Sequence, residues 1–333
     1  MPHNPILRRL ITIPSVVVLF LLVTAFSPLL LVIGLVIDIW RSIDSGKPWM
    51  TLRSLAFLWI YLLGQLWALL GLLLSTPVPG ETKQRITFEL QGLWTKWNFN
   101  SMRRLFSLDV QVEGQDSAKR GPFILLSRHA SMVDTMLPAR FIANPFGIRL
   151  RYVLKRELLI DPTLDIGGNR LPNYFIDRAA ANTSIELGAI RDLASDLSDD
   201  DAVLIYPEGT RFSIEKRDRY TARLADQPGA VGSVAAHLRQ VLPPRPGGTL
   251  ALLEAAPAAD VVVLAHHGLG GLATVKDIWA GGLVGSKIRV AMWRIKRARI
   301  PRDRDDRIEW LYRLWASVDD WVVTQSAVPE TAS

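Results

Sequence analysis

Two long apolar runs near the amino terminus constrain this chain more than any other feature. From Leu10 to Ile37 nearly every residue is apolar, interrupted by Thr12, Pro14, Ser15, Thr24, Ser27, Pro28 and Gly34. A second run extends from Leu55 to Leu74, with Gln65 as its strongly polar member. A helix needs about 20 apolar residues, each rising ~1.5 Å, to cross the ~30 Å hydrocarbon core of a bilayer, and each run is long enough. The polar stretch from Arg41 to Pro48 reads as a turn. Residues 1–80 are therefore expected to form a two-helix membrane hairpin. Pro28 falls inside the first run, which predicts a kink, or a pair of helices that dips into the bilayer and returns without spanning it. A cleaved signal peptide is disfavoured, because the apolar part exceeds an ordinary h-region and no small-x-small site closes it. Basic residues are divided too evenly around the two runs to set an orientation.

Behind the hairpin, residues 81–325 are long enough for one α/β domain with a large core, and 326–333 read as a flexible tail. The chain has no cysteine, so disulfides, thiolate catalysis and Cys-ligated zinc are excluded by composition. Its formal net charge of +7 is made largely of arginine. Beside a membrane anchor, such a surface suits anionic lipid head groups and phosphate-bearing molecules, and no nucleic-acid recognition signature is present.

The pattern then alternates. An amphipathic helix is expected over Arg85 to Phe106, with Ile86, Leu90, Leu93, Trp94 and Trp97 at near-helical spacing. Strands are expected at Asp109–Gly114, Pro122–Leu126, Leu150–Leu154, Tyr174–Asp177, Val203–Tyr206, Val261–Ala265 and Lys287–Ile295. Helices are expected at Ser131–Ala143, Thr183–Leu197 and Gly229–Leu242. A closing helix from Arg304 to Val323 would bury a stripe of Ile308, Leu311, Trp315, Val318 and Val322. Strands separated by helices predict an α/β fold with a mostly parallel or mixed sheet flanked by helices, its functional loops at the strands' carboxyl ends.

Three segments at strand ends carry chemistry. In Ser127-Arg128-His129-Ala130-Ser131-Met132-Val133-Asp134, a histidine and an aspartate stand five apart. A neutral imidazole can take a proton from a hydroxyl, and a carboxylate can fix the ring's tautomer and stabilise the imidazolium. Positions five apart on one helix diverge by roughly 140°. His129 is therefore expected in the loop, with Asp134 on the first turn of the following helix. The second segment is Tyr206-Pro207-Glu208-Gly209-Thr210-Arg211, where glycine lets backbone approach an anion and Arg211 can grip phosphate oxygens. The third, Asn173-Tyr174-Phe175-Ile176-Asp177-Arg178, places another arginine after a β-like run. Each alone reads as a capped turn; together, in this order, they do not.

With these blocks the chain resembles the glycerolipid acyltransferase superfamily, which contains the lysophosphatidic acid acyltransferases. His129 and Asp134 match its H-x4-D block, although Arg128 stands where an asparagine is common. Phe175 to Arg178 match F-x-x-R, and Glu208 to Arg211 match E-G-T-R. Lys155, in Lys155-Arg156-Glu157-Leu158, matches a basic residue ahead of the second block. The fourth block, a strand usually carrying a proline, meets Val261 to Ala265, which has none.

The resemblance implies a membrane enzyme that moves a fatty acyl group from acyl-CoA to a lysophospholipid hydroxyl, most directly lysophosphatidic acid to give phosphatidic acid. His129 would be the base and Asp134 its orienting partner. Arg178 and Arg211, with Lys155, would hold phosphate; Glu208, Gly209 and Thr210 would shape the binding loop. No metal and no cofactor is implied, with acyl-CoA as co-substrate or acyl carrier protein as an alternative donor. Membrane lipids are the expected partners, and the catalytic domain is expected on the cytoplasmic side, where activated acyl donors are made. Remodelling of another lysophospholipid, as in the lysocardiolipin branch or by transacylation, stays open. So does a non-catalytic lipid-binding membrane module, which intact His129, Asp134, Glu208 and Arg211 disfavour.

Four further residues read as structural. His266 and His267 have no partner at ligand spacing and read as a polar strand end. Ser131 reads as a helix-start residue, since the chain has no G-x-S-x-G elbow. His237 falls on an apolar helix and reads as part of its packing.

Overall fold

The computed structural model describes residues 4–131, 133–176, 183–270 and 275–327. Its strands are β1 (Asp109–Glu113), β2 (Phe123–Ser127), β3 (Arg149–Lys155), β4 (Tyr174–Ile176), β5 (Asp201–Ile205), β6 (Asp260–His267) and β7 (Lys287–Ile295). The chain divides into two compact units. The first comprises 1–109, 154–179 and 274–286; the second comprises 110–153, 180–273 and 287–333.

In the first unit the long apolar run is broken into helices Pro5–Ala25 and Ser27–Ser45. Pro28 lies in the first turn of the second helix, where its missing N–H leaves no bond unmade and its fixed φ suits helix initiation. Asn4 caps the first helix by accepting from the Ile6 and Leu7 amides. Gly46, at φ 60°, ends the second in the left-handed conformation that glycine adopts without steric cost. The third helix, Thr51–Leu74, starts without a cap of its own. Instead the buried Asp38 carboxylate accepts from the Met50, Thr51 and Leu52 amides at 3.2, 2.9 and 2.9 Å.

Helices Pro5–Ala25 and Thr51–Leu74 are long and apolar enough to cross a membrane by length and composition. The second of them is also tied to the short helix Pro162–Arg170. Tyr61 donates to Asp161 at 2.9 Å, Gln65 donates to Asp161 at 2.6 Å, and Leu69 and Leu72 pack on Ile166. Arg8 forks onto Asp165 through Nε at 2.9 Å and Nη2 at 2.6 Å, with both side chains buried.

In the second unit the sheet runs β1-β7-β6-β2-β5-β3. β2 is parallel to both β5 and β6, β3 is parallel to β5, and β6 is antiparallel to β7, so the sheet is mixed. All five residues of β2 are buried, as expected of a central strand covered on both faces. The closing helix Arg304–Ala327 buries Leu311, Trp315, Val318 and Val322, four of the five residues on the expected stripe.

Two expected helices are shorter than their patterns suggested. Thr183–Asp192 stops before Leu197, and Gly229–Ala235 stops before Leu242. For the latter the cause is visible. Asp319 of the closing helix accepts from the Arg239, Gln240 and Val241 amides at 3.0, 2.5 and 3.0 Å, and Glu208 accepts from the Leu242 amide at 3.0 Å. Backbone donors that a longer helix would use internally go to two buried carboxylates. His237 consequently lies beyond the helix, exposed, with Nδ1 2.7 Å from the Ser233 carbonyl oxygen. The expected Ser131–Ala143 helix is also irregular, a 3-10 turn at Asp134–Met136 followed by a π turn at Ala139–Ala143. Pro138 between them lacks an amide hydrogen to carry a regular ladder through.

Candidate active site

Parallel pairing in register brings the ends of β2 and β5 together, with Leu126 opposite Ile205. The segments leaving these ends are therefore neighbours at the carboxyl edge of the sheet, where open α/β sheets place ligands. Two hydrogen bonds stitch them. The His129 amide donates to Glu208 Oε1 at 3.0 Å, and the Phe212 amide donates to the His129 carbonyl at 2.8 Å.

His129 sits in the loop and Asp134 on the 3-10 turn, as the spacing requires. His129 Nδ1 lies 3.1 Å from Asp134 Oδ1. Asp134 is fully buried, and its Oδ2 accepts from the Ala130 amide at 2.6 Å and the Ser131 amide at 2.7 Å. Ser131 Oγ in turn accepts from the Val133 and Asp134 amides, both at 3.1 Å, which is the helix-start role expected of it. Burial alone would raise the Asp134 carboxyl. Hydrogen bonds from His129 and His266 outweigh it and hold Asp134 well below the usual carboxylate range.

The partners of Asp134 fix the tautomer of His129. A carboxylate is an acceptor, so Nδ1 carries the proton, and Nε2 is left with the lone pair a general base needs. The imidazole is about 14 % exposed, so it is reachable. Its ring faces Tyr206 with centroids 4.5 Å apart. The hydroxyl oxygen of Tyr206 is buried with no hydrogen-bond partner among the described residues, and burial, Asp134 and Tyr152 push its ionisation well above the ordinary value.

Glu208 is fully buried. Burial pushes its carboxyl up to about 7, against the opposing effects of Arg128 and of the His129 and Leu242 amides. Gly209 has φ 68°, and its amide closes a turn on the Tyr206 carbonyl at 2.9 Å. Thr210 Oγ1 and the Arg211 carbonyl both accept from Lys216 Nζ, at 3.1 and 3.0 Å. Among the described residues the Arg211 guanidinium makes no hydrogen bond or ion pair, which leaves it available to an anion. Lys216 comes from helix Ile214–Leu224, whose sequence is strongly charged.

Arg128 is buried, and its Nη1 and Nη2 donate at 2.8 Å to the carbonyls of His266 and Gln240. His266 is buried on the far side of Asp134, its Nε2 3.4 Å from Asp134 Oδ2. The sequence offered no signal for this contact beyond the histidine itself. The structure thus brings together His129, Asp134, Glu208, Gly209, Thr210 and Arg211. Lys155 ends β3 and belongs to the first unit; Arg178 lies outside the described residues. Among the described residues no group of three or more His, Asp or Glu is arranged to hold a metal ion.

Residues 109–264, which carry both the His129–Asp134 and Glu208–Arg211 loops, match the family model described as Acyltransferase. Over these residues, just under half of its length, the chain is similar to the Acyltransferase family. It is 25 % identical over 150 residues to the 1-acyl-sn-glycerol-3-phosphate acyltransferase of Saccharomyces cerevisiae, covering 45 % of each chain. The matched region therefore spans under half of that curated relative. In fold, the chain is similar to the crystal structure of the 1-acyl-sn-glycerophosphate (LPA) acyltransferase from Thermotoga maritima, with a TM-score of 0.58. That likeness covers 85 % of this chain and 98 % of the other at 16 % identity. The mixed sheet flanked by helices expected from the sequence is the fold found here.

Proposed function

We propose that this acyltransferase acylates the free hydroxyl of lysophosphatidic acid, using acyl-CoA as donor and yielding phosphatidic acid. The observation that carries the reading is the His129–Asp134 pair held beside the Glu208–Arg211 loop by the His129 amide. The hydroxyl of a glycerol backbone ionises far above neutrality, so attack on a thioester needs a base at the proton. His129 Nε2 takes that proton as the oxygen adds to the thioester carbonyl. The tetrahedral intermediate collapses by breaking the carbon–sulfur bond, and the imidazolium returns its proton to the departing thiolate. Asp134 stays ionised throughout and stabilises the imidazolium. No acyl-enzyme is required.

Arg211 binds phosphate, with its guanidinium fork matched to phosphate oxygens. The same role for Lys155 and Arg178 rests on the resemblance, and Glu208 with Gly209 and Thr210 shapes the loop. Membrane lipids supply the acceptor. The exposed apolar side chains of helices Pro5–Ala25 and Ser27–Ser45, among them Leu10, Leu21 and Val36, make a surface suited to lipid rather than water. The donor places the catalytic unit on the cytoplasmic face.

The test is acyl transfer by purified protein from labelled acyl-CoA to lysophosphatidic acid, other lysophospholipids and glycerol-3-phosphate, with His129→Ala alongside. Transfer to lysophosphatidic acid, lost in the variant, is the expected result. Preference for another lysolipid replaces the acceptor and keeps the chemistry. Activity that requires acyl carrier protein or a phospholipid donor replaces the donor. Undiminished transfer by His129→Ala overturns the mechanism.

A further inference from the structure

Asp134 lies between two imidazoles. His129 meets Oδ1 at 3.1 Å, and His266 approaches Oδ2 at 3.4 Å from β6. The sequence marks His266 as a mere strand end, yet it is fully buried, which a polar strand end would not be. Burial of an imidazole carries a desolvation cost that its hydrogen bonds must offset. Its Nε2 is placed for this, 3.2 Å from the Arg128 carbonyl oxygen and facing Asp134. Its Nδ1 is buried with no partner among the described residues. Both neighbours of Nε2 are acceptors, so Nε2 carries the hydrogen, shared between them. A hydrogen on Nδ1 would be a buried donor with nothing to receive it.

The charged groups around His266 agree with a neutral ring. Burial disfavours its protonated form, and Arg128 adds repulsion, against the attraction of Asp134. His267 follows it in the strand, Arg289 lies opposite His267 in β7, and Glu208 sits on the other side of Arg128. His266 is therefore a neutral donor to a carboxylate, rather than a second base or half of a charged pair.

Arg128 and His266 also hold each other. The Arg128 guanidinium donates to the His266 carbonyl, and the His266 ring donates to the Arg128 carbonyl. These are two places where this chain departs from the superfamily pattern. Arg128 replaces the usual asparagine, and the strand that lacks the usual proline is the one that carries His266. The two departures form one reciprocal unit behind the catalytic carboxylate.

We propose that His266, braced by Arg128, is a positioning residue for acyl transfer: it donates to Asp134 Oδ2 and thereby turns Oδ1 onto His129 Nδ1. The role rests on the proposed general-base reading of His129. Asp134 has two other donors to Oδ2, from Ala130 and Ser131, but both belong to its own loop. His266 is a donor fixed to the sheet, so it ties the orientation of the carboxylate to the rigid part of the unit.

Two variants of similar size separate positioning from packing. Glutamine at 266 can place an amide N–H where Nε2 stands; leucine fills the space with no donor. His266→Leu is expected to lower kcat by roughly 10- to 100-fold, the weight of a hydrogen bond to a charged group, with KM for both substrates unchanged. His266→Gln is expected to recover most of that loss. In an Asp134→Asn background His266→Leu is expected to cost nothing further. A kcat for His266→Leu equal to wild type, equal losses in Gln and Leu, or a full additive loss on Asp134→Asn would each overturn the role.

A second readout does not depend on the reaction. Nitrogen-15 spectra of histidine-labelled full-length protein in detergent micelles at neutral pH are expected to show His266 neutral and protonated at Nε2. A ring protonated at Nδ1, or charged, overturns the role. If wild type transfers acyl groups to no acceptor while the spectra give the expected tautomer, the general-base reading fails and the His266–Asp134 contact stands.

Discussion

The amide of His129 donates to Glu208 Oε1 at 3.0 Å, so the backbone of the proposed base is held by the acidic residue of the Glu208–Arg211 loop. Glu208 Oε2 meanwhile accepts from Leu242 at 3.0 Å. One buried carboxylate thus fixes two loops. Glu208→Gln keeps one acceptor oxygen and loses the other, so one of the two amides is left facing an N–H group. The expected result is a lower kcat, with a structural cost of about 1–3 kcal/mol in denaturant unfolding.

The pH dependence of that cost has a definite sign. Burial raises the Glu208 carboxyl to about 7, so the folded state holds its proton more tightly than the unfolded chain does. The stability contributed by Glu208 is then fully present below its unfolded value and is lost as pH rises through about 7. Glutamine does not titrate. The stability gap between wild type and Glu208→Gln should narrow as pH is raised across this interval, which melting curves in a pH series would show. A gap that widens would mean the carboxylate is ionised throughout.

His129→Ala should reduce kcat by roughly 10²- to 10⁴-fold, the usual weight of a general base, with an unchanged far-ultraviolet spectrum. Asp134→Asn should be comparably damaging. An asparagine can present its amide to His129 and favour the tautomer with the proton on Nε2, which removes the base. Steady-state kinetics on both variants checks this; a loss confined to KM would contradict it.

Gly209→Ala should be more costly than its size suggests. The residue has φ 68°, and a Cβ there would lie 3.1 Å from Arg245 Cδ. The left-handed conformation alone costs an L-residue about 1–2 kcal/mol. Reduced thermal stability and weaker acceptor binding are both expected, because the turn that carries Glu208 and Arg211 must shift.

Arg128→Asn would restore the residue common in the superfamily, yet it should destabilise this chain. Asparagine cannot span from the His266 carbonyl to the Gln240 carbonyl, and Glu208 would lose its cation. Removing one member of a buried charged group typically costs ~3–5 kcal/mol. The midpoint of urea unfolding should fall accordingly, and an Arg128→Asn protein as stable as wild type would show that the guanidinium is not needed there.

The loops of the candidate site were legible because each is a contiguous motif after an apolar run. His129, Asp134 and Glu208 to Arg211 follow strands β2 and β5 within a few residues, and the helical geometry of a five-residue spacing placed His129 in the loop. The strands were legible for the same reason, β7 to the residue. His266 was not. Its partner Arg128 lies 138 positions away, and no local pattern reports such a pairing. The helix Gly229–Ala235 was overextended because its apolar spacing continues past Ala235, while the carboxylates that capture the next amides, Asp319 and Glu208, are distant in sequence.

By itself the sequence determined the local periods: apolar runs long enough for lipid, a βα alternation, and the residue types able to move a proton and grip phosphate. These depend on neighbours within a turn or two of chain. Tertiary structure decided which groups share a hydrogen bond. It broke the first apolar run at Phe26, gave Glu208 the amide of His129, and set His266 behind Asp134. Those outcomes depend on where buried polar groups find partners, because burial without a partner costs too much to leave unpaid.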